Sequence, residues 1–496
     1  MTHMRWIRAT SVLLSVAVAV QPLVAQTAIS TAASARDPVR DPAQAEALRL
    51  IDVWLDGVQA YERIPALSVA VVQGDSVVWS KGYGTIDAAR TVPATATTIY
   101  SICSISKLFT SIALMQQWEA GKVRLDAPLT DYLPWAKLKP DARDSMPVTL
   151  RGVLTHSAGL PRESDFPYWT QADHPFPTQA QLRATIVGQA PLYPASRWYQ
   201  YSNLGLTLVG ETVEAIAHQP YADYVQSHIL DPLALRDTRP FMPMTLYGTR
   251  LAVGWGALNR KGERALLQPF DARGLAPAAG FTSTVEDLGR FAAWQFRLLR
   301  SETTEILKPS TLSEMQRVQF TSPDWKATRG LGFAIGRRGD RTYVGHGGDC
   351  PGYHSDLLMR PESETAVASM MTGAETPGAY DEAIFALLDK RKGFAFKTPV
   401  SDIRDELDAF AGRYSAEPWG SEIVVLPWAG GLAALTLPSK NPAGELVLLK
   451  PKGGDRFRVI RDDGSESDEV VFERDAAGRI SRFIRFSNPR DRIGPL

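Results

Sequence analysis

The tetrapeptide Ser104-Ile105-Ser106-Lys107 opens a run in which Ile105, Leu108, Phe109, Ile112 and Met115 recur at helical spacing. Gly121 stands where a C-cap belongs. In such a helix a serine and a lysine three residues apart share one face, one turn apart. A hydroxyl and an amine so placed meet the demand of a lysine-assisted serine nucleophile. Ser-x-x-Lys arises by chance on the order of once in a chain of this length at ordinary composition. Its weight comes from two motifs further along the chain, Tyr201-Ser202-Asn203 and then His346-Gly347-Gly348.

These later motifs bring chemistry the first lacks. A serine hydroxyl is a poor nucleophile until a base removes its proton. Lys107 can be that base only if burial or a neighbouring positive charge lowers its pKa. Tyr201 offers a second base, a phenol that ionises more readily beside a lysinium and passes the proton to the leaving group. Asn203 can bridge Lys107 and a substrate amide with the two ends of its side chain. Ser202 and Asn203 also cap helices well, and Leu206, Val209, Val213 and Ile216 mark a helix just after them. Paired glycines at 347 and 348, on an edge strand, let a substrate backbone approach closely. The amides of Ser104 and Asp349 then make a candidate oxyanion hole. His156, in Leu154-Thr155-His156-Ser157, is read as structural.

Taken in order, the three motifs resemble those of the penicillin-binding and β-lactamase-like serine hydrolases. The nearest likeness is to the class C β-lactamases, the β-lactamase-fold esterases and the D-amino-acid peptidases. Flanking phrases share it: Ile64-Pro65-Ala66-Leu67-Ser68-Val69-Ala70-Val71, Leu154-Thr155-His156-Ser157-Ala158-Gly159-Leu160-Pro161, and Gly345-His346-Gly347-Gly348 with Pro351-Gly352-Tyr353. The resemblance covers roughly residues 45–395. It implies an α+β fold, an antiparallel sheet flanked by helices, with a helical subdomain at about 125–275 and the site between the two. It further implies that Ser104 attacks a carbonyl to give an acyl-enzyme. Lys107 and Tyr201 would move protons, water would release the acid, and no metal or organic cofactor would take part.

One departure bears on substrate. His346 stands where the resemblance calls for the lysine of Lys-Thr-Gly. A histidine is largely neutral at pH 7 and offers no fixed charge to the carboxylate of a β-lactam or a peptide C-terminus. The expectation is therefore an esterase or D-stereospecific peptidase ahead of a β-lactamase, acting on a small ester, amide or short peptide. Asp349 would oppose an oxyanion unless it points away or meets a substrate amine. It is expected to face a cationic group such as an amino terminus. The alternative from another class is a non-catalytic penicillin or muropeptide sensor, or an assembly protein, on the same fold. Ser104, Lys107 and Tyr201 together argue for turnover.

Outward from the motifs, residues 67–72 and 76–80 are β-branched runs around the hairpin signal Gln73-Gly74-Asp75. Runs at 332–336, 341–345, 355–359 and 366–371 read as strands, with Pro361-Glu362-Ser363-Glu364 as a turn and a helix over 381–392. Ser283 and Glu286 suggest a capping box for a helix bearing Leu288, Phe291 and Leu298. Strands at both ends with helices between argue for one sheet assembled from distant parts of the chain. Residues 162–177, rich in aromatic residues and proline, are a candidate pocket wall or a packed surface loop. Beyond 394 the pattern changes to short strands at 423–426, 433–437, 445–449, 456–460, 469–472 and 480–486. Residues 400–496 are thus expected to form a small all-β domain, a barrel or sandwich, which resembles the lipocalin-like tail of some relatives.

Composition narrows the function classes. At 496 residues two or three domains are expected. Lys+Arg and Asp+Glu both number 54, so no basic field exists to bind nucleic acid. Arg5 and Arg8, the apolar run 9–20 and a small-residue site near Ala25 read as a signal peptide over 1–25, followed by a linker over 26–44. That run is short for a spanning helix, so the mature chain is expected to be exported, periplasmic or secreted, without a membrane span. Seven histidines show no metal-ligand spacing. Absence of Gly-x-Ser-x-Gly argues against the α/β-hydrolase route to a serine esterase. Cys103 precedes Ser104 and Cys350 lies two residues after Gly348. Export permits a disulfide between them; the expectation is two small buried thiols.

Overall fold

Alternation within one strand sets the layering of this protein. In Ala66–Gln73, Leu67, Val69 and Val71 enter one apolar core, while Ala66, Ala70 and Val72 enter another on the opposite face. The structure, a computed structural model, describes residues 41–139, 145–169, 174–373, 376–394, 404–418 and 420–496. The expected signal peptide and residues 26–40 of the expected linker lie outside them. The first helix, Pro42–Tyr61, begins inside the expected linker, because the Asp41 side chain caps it and Pro42 occupies its first turn.

Eight antiparallel strands form the main sheet. Their order is Ser76–Gly84, Ala66–Gln73, Thr365–Thr372, Tyr353–Arg360, Arg341–Cys350, Ala334–Arg338, Thr328–Arg329 and Phe320–Thr321. The N-terminal hairpin thus pairs with the C-terminal strands, with Val69 opposite Ser369. The last two strands, of two residues each, have no counterpart among the strands expected from sequence. Arg341–Cys350 is longer than expected and runs through the His-Gly-Gly motif. Its pairing with Ala334–Arg338 stops at Gly345, which leaves His346–Cys350 with one open edge.

On the front face lie Ser106–Glu119 and Val285–Arg300. The second is capped by Thr284, whose side chain accepts from the Asp287 amide at 3.1 Å, so the expected Ser283–Glu286 box is displaced by one residue. Ser283 turns inward to Thr238 instead. Between residues 125 and 275 short helices and Asn203–Ala217 predominate, joined by an unexpected hairpin of Trp255–Leu258 and Arg264–Leu266. Behind the sheet pack Pro42–Tyr61 and Pro377–Gly393.

The C-terminal strands close into an eight-stranded barrel running from Gly412–Ser415 to Asn488–Gly494. Tyr414, Phe457, Phe472 and Phe483 fill its interior. Leu426, Trp428, Leu435 and Leu437 point outward and join the rear core with Trp54 and Leu387. Trp54 Nε1 donates to the Ser439 carbonyl at 3.0 Å, and Arg391 and the Ala429 amide both donate to Glu46 at 2.7 Å. The barrel is therefore fused to the back of the sheet rather than placed over Ser104. Each fully buried Leu or Trp stabilises by roughly 1.5–3 kcal/mol. Removing residues 404–496 is expected to destabilise the remainder by more than about 5 kcal/mol and expose a dye-binding apolar face; an unchanged melting temperature would contradict this.

The same rear layer holds a pair of carboxyls, Asp356 behind the motif strand and Asp381 on Pro377–Gly393. Burial pushes Asp356 up to about 6, and burial with the Asp356 charge pushes Asp381 well above the usual range. A raised carboxyl binds protons more tightly in the folded state, so its contribution is complete below the ordinary value of about 4 and is lost as pH rises through about 6. Stability is expected to fall across that window, and Asp381→Asn to flatten the profile. Thermal melts from pH 4 to 8 check both.

Candidate active site

Ser104 lies in a single 3₁₀ turn, Cys103–Ile105, that runs directly into Ser106–Glu119. Cys103 takes a left-handed conformation, φ 48°, which turns the chain sharply ahead of the serine. Helical spacing then brings Lys107 Nζ to 3.0 Å from Ser104 Oγ. The amine is fully buried and donates to the Ala278 carbonyl at 2.7 Å. Burial holds Lys107 well below the ordinary lysine range; Glu163 offsets part of this and Arg162 adds to it. An amine shifted in this direction gives up its proton more readily, and it faces the serine hydroxyl.

The Tyr201 phenol stands near the same hydroxyl, and its ring centroid lies 4.9 Å from Lys107 Nζ. Its phenol differs from the sequence expectation. Burial raises it above the ordinary tyrosine value, and the nearby Ser104 hydroxyl and the Arg162 and Arg329 charges lower it by less. With its phenol raised by burial, Tyr201 stays protonated and can act as a donor.

A zipper of backbone bonds places the second motif. Residues 156–162 run beside 192–203, joined by Leu192 N to Gly159 O, Gln200 N to His156 O and Asn203 N to Arg162 O, each at 2.7 Å. Buried His156 accepts from the Ser202 amide at 3.1 Å and packs its ring 4.3 Å from that of Tyr201. Its expected structural role is thus to hold the tyrosine segment. Ser202 is the N-cap of Asn203–Ala217, and Asn203 is the first residue of that helix. The Asn203 side chain is 3 % exposed and donates from Nδ2 to Glu163 Oε1 at 2.8 Å.

The third motif forms the opposite wall. His346 Nδ1 lies 2.6 Å from the Gly347 carbonyl, which can only accept, so Nδ1 carries the hydrogen. Desolvation above all holds His346 down at about 3. It is a neutral ring across the working pH range. Gly348 is required by the protein's own backbone: a Cβ there would lie 2.2 Å from the Ile102 carbonyl. Gly347 meets no such wall, so close approach is imposed at one glycine of the two. Asp349 sits at the cleft mouth, 85 % exposed, with Oδ1 3.4 Å from His354 Nδ1. Cys103 and Cys350 are joined in a disulfide with Cα atoms 5.8 Å apart, in place of the two expected thiols. The close packing at Gly348 brings them within reach.

Ser104, Asn203 and Asp349 all line a cleft of about 420 Å³. Arg162, Glu163 and Trp169 line it too, so part of the 162–177 segment is cleft wall; residues 170–173 lie outside the described residues. Sequence reasoning missed Glu163, His354 and Trp255. Only Glu163 had a local signal, as the residue two after the Gly-Leu-Pro phrase.

The family model named Beta-lactamase matches residues 51–391. The chain belongs to this family. Among curated relatives, Beta-lactamase-like protein 2 of Dictyostelium discoideum is 23 % identical over 354 residues, 70 % of this chain and 63 % of that protein. Protein flp of Staphylococcus aureus is 26 % identical over 61 % of this chain and 59 % of its own length. The match therefore spans less than two thirds of either relative. Among solved structures, the octameric penicillin-binding protein homologue from Pyrococcus abyssi superposes with a TM-score of 0.62 at 21 % identity, over 89 % of this chain and 99 % of that one. A D-stereospecific amidohydrolase from Streptomyces sp. gives 0.53 at 21 % identity, over 67 % and 93 %. At these identities the two structures speak for the fold.

Proposed function

We propose that this β-lactamase-family chain is a serine hydrolase that cleaves an ester or amide through an acyl-enzyme on Ser104. The observation that carries the reading is a buried amine 3.0 Å from the Ser104 hydroxyl, with a protonated phenol beside it. Lys107 takes the Ser104 proton as Oγ bonds to the carbonyl carbon. The amides of Ser104 and Asp349 receive the developing oxyanion. Tyr201 then gives its proton to the leaving oxygen or nitrogen as that bond breaks, and the Lys107 ammonium restores it. A water attacking the acyl carbon gives up its proton to the same pair, and the acid departs.

Neutral His346 removes the fixed charge that would draw a β-lactam or C-terminal carboxylate, which supports esters and amides over β-lactams. Fold likeness to a D-stereospecific amidohydrolase makes amides of D-residues the first amide substrates to try. The proposed setting is an exported protein that uses no cofactor.

A fluorophosphonate, intact mass with peptide mapping, and p-nitrophenyl butyrate turnover test the reading, with Ser104→Ala as control. One adduct on Ser104 and turnover that vanishes in the control are expected. An adduct without turnover would instead favour a sensor that binds and holds the acyl group. No adduct on the folded wild type would sink both.

A further inference from the structure

Ser106, the third residue of the first motif, opens the helix Ser106–Glu119, where a serine hydroxyl ordinarily caps backbone amides. This one does not: Ile105 is the N-cap residue, and no side chain caps the helix. The Ser106 hydroxyl is fully buried and reaches sideways instead. It donates to the Cys103 carbonyl and accepts from the Phe281 amide at 3.0 Å. Phe281 in turn accepts from the Ile102 amide at 2.9 Å, so it is pinned to the chain on both sides of Ser104. Three residues earlier, the Ala278 carbonyl accepts from Lys107 Nζ at 2.7 Å. One residue earlier still, the Pro277 carbonyl accepts from Thr110 Oγ1 at 2.6 Å. The carbonyl that meets the lysine thus lies between two pins from one helix. These bonds close a ring. It runs from Ser104 through Cys103 and the Ser106 hydroxyl to Phe281, then along the chain to Ala278. Lys107 Nζ completes it at 3.0 Å from Ser104 Oγ.

We propose that Ser106 is a positioning residue for the hydrolysis: its hydroxyl locks the Ala278 carbonyl against the nucleophile turn and so holds the Lys107 amine at Ser104 Oγ. This deepens the hydrolase reading and rests on it. A lysine amine rides on a flexible stem, and one contact at Ser104 does not fix where it sits. The Ala278 carbonyl supplies a second contact, which is steady only while residues 278–281 keep their place. Ser106 and Lys107 are neighbours in the chain, so one step of the helix delivers both the amine and the hydroxyl that secures its acceptor. Without that hydroxyl the Phe281 amide is left buried and unpaired, and the segment relieves this by shifting. A small displacement of a reacting group is felt strongly in the rate. The Ser106 hydroxyl bonds neither Ser104 Oγ nor Lys107 Nζ, so its effect reaches the chemistry through the lysine.

The test is a double-mutant cycle on the full chain, read by stopped-flow acylation with p-nitrophenyl butyrate. Ser106→Ala in the otherwise wild-type chain is expected to slow acylation between about 10- and 100-fold, with KM changed by less than about threefold. In the Lys107→Met background, where the amine is gone, the same substitution is expected to change the rate by less than about threefold. A merely structural serine would slow both backgrounds alike, and that result overturns the inference. So does Ser106→Ala that acylates like wild type. Ser106→Cys has the same shape with a weaker donor and acceptor. It takes the place of alanine in the cycle, with the same outcomes, should that variant fail to fold; intact mass checks that its Cys103–Cys350 bond persists. Ser104-dependent turnover of p-nitrophenyl butyrate by the wild type keeps the hydrolase reading standing whichever way the cycle falls. Its absence sinks both.

Discussion

Lys107→Met is expected to slow acylation of Ser104 by about 10³-fold, the middle of the range for loss of a positioned general base. The same substitution is expected to raise the melting temperature. Both effects stem from the burial that makes the residue useful. Lys107 is completely enclosed, and its amine is held well below the ordinary lysine range. Below the ordinary lysine pKa the unfolded chain binds a proton that the folded chain refuses, so stability climbs as pH rises from the depressed folded value toward about 10. At neutral pH the lysine thus costs stability that methionine, similar in length and uncharged, restores. Activity should show the matching acid limb: turnover falls as pH drops through the depressed lysine value and Lys107 gains its proton. Stopped-flow acylation by a p-nitrophenyl ester and a melt on each protein give the two readouts. A variant with near wild-type acylation would remove Lys107 from the chemistry. A dead variant that melts far lower would show a structural role instead.

Much of this site was legible because its chemistry sits at fixed short spacings. Ser104 and Lys107 are one helical turn apart, and any chain that forms Ser106–Glu119 brings them together. Tyr201 and Asn203 were legible because a cap and a helix must come after them. Glu163 was not, since its significance depends on Asn203, forty residues away, and on the acceptor-only nature of a carboxylate. Sequence pattern alone ends the strand through His346 at Gly345; glycines weaken strand propensity, and only the close fit against Ile102 explains why pairing continues. In the barrel, the closing strand Asn488–Gly494 escaped notice because none of its residues is fully buried and it alternates no apolar residues. Ring closure rather than burial holds it, through pairing with both Ile480–Arg485 and Gly412–Ser415.

Removing the disulfide, as Cys103→Ala with Cys350→Ala, is expected to cost about 4 kcal/mol and to lower kcat at least tenfold with little change in KM. The stability figure is the upper end of the usual range for a disulfide, as befits a loop of 247 residues whose freedom in the unfolded chain returns when the bond is lost. The kinetic effect comes from where the bond lies. Cys103 immediately precedes Ser104, and Cys350 immediately follows Asp349. The disulfide thus ties together the two segments whose amides are proposed to receive the oxyanion. Other contacts also hold them, among them the seat of Gly348 on the Ile102 carbonyl and the Ser355 hydroxyl, which donates to that same carbonyl at 2.9 Å. These keep the segments adjacent in the variant, so substrate still binds. What they leave free is a shift of a few tenths of an ångström between the two amides, and oxyanion donors act only at a tight distance. The loss therefore belongs in kcat. Alanine suits the test because both positions are buried and a serine would add an unpaired hydroxyl. Melts and steady-state kinetics on wild type, reduced wild type and the double variant check the expectation. A variant that melts lower with kcat intact would make the bond a structural staple alone, and one that matches wild type in both would deny it either role.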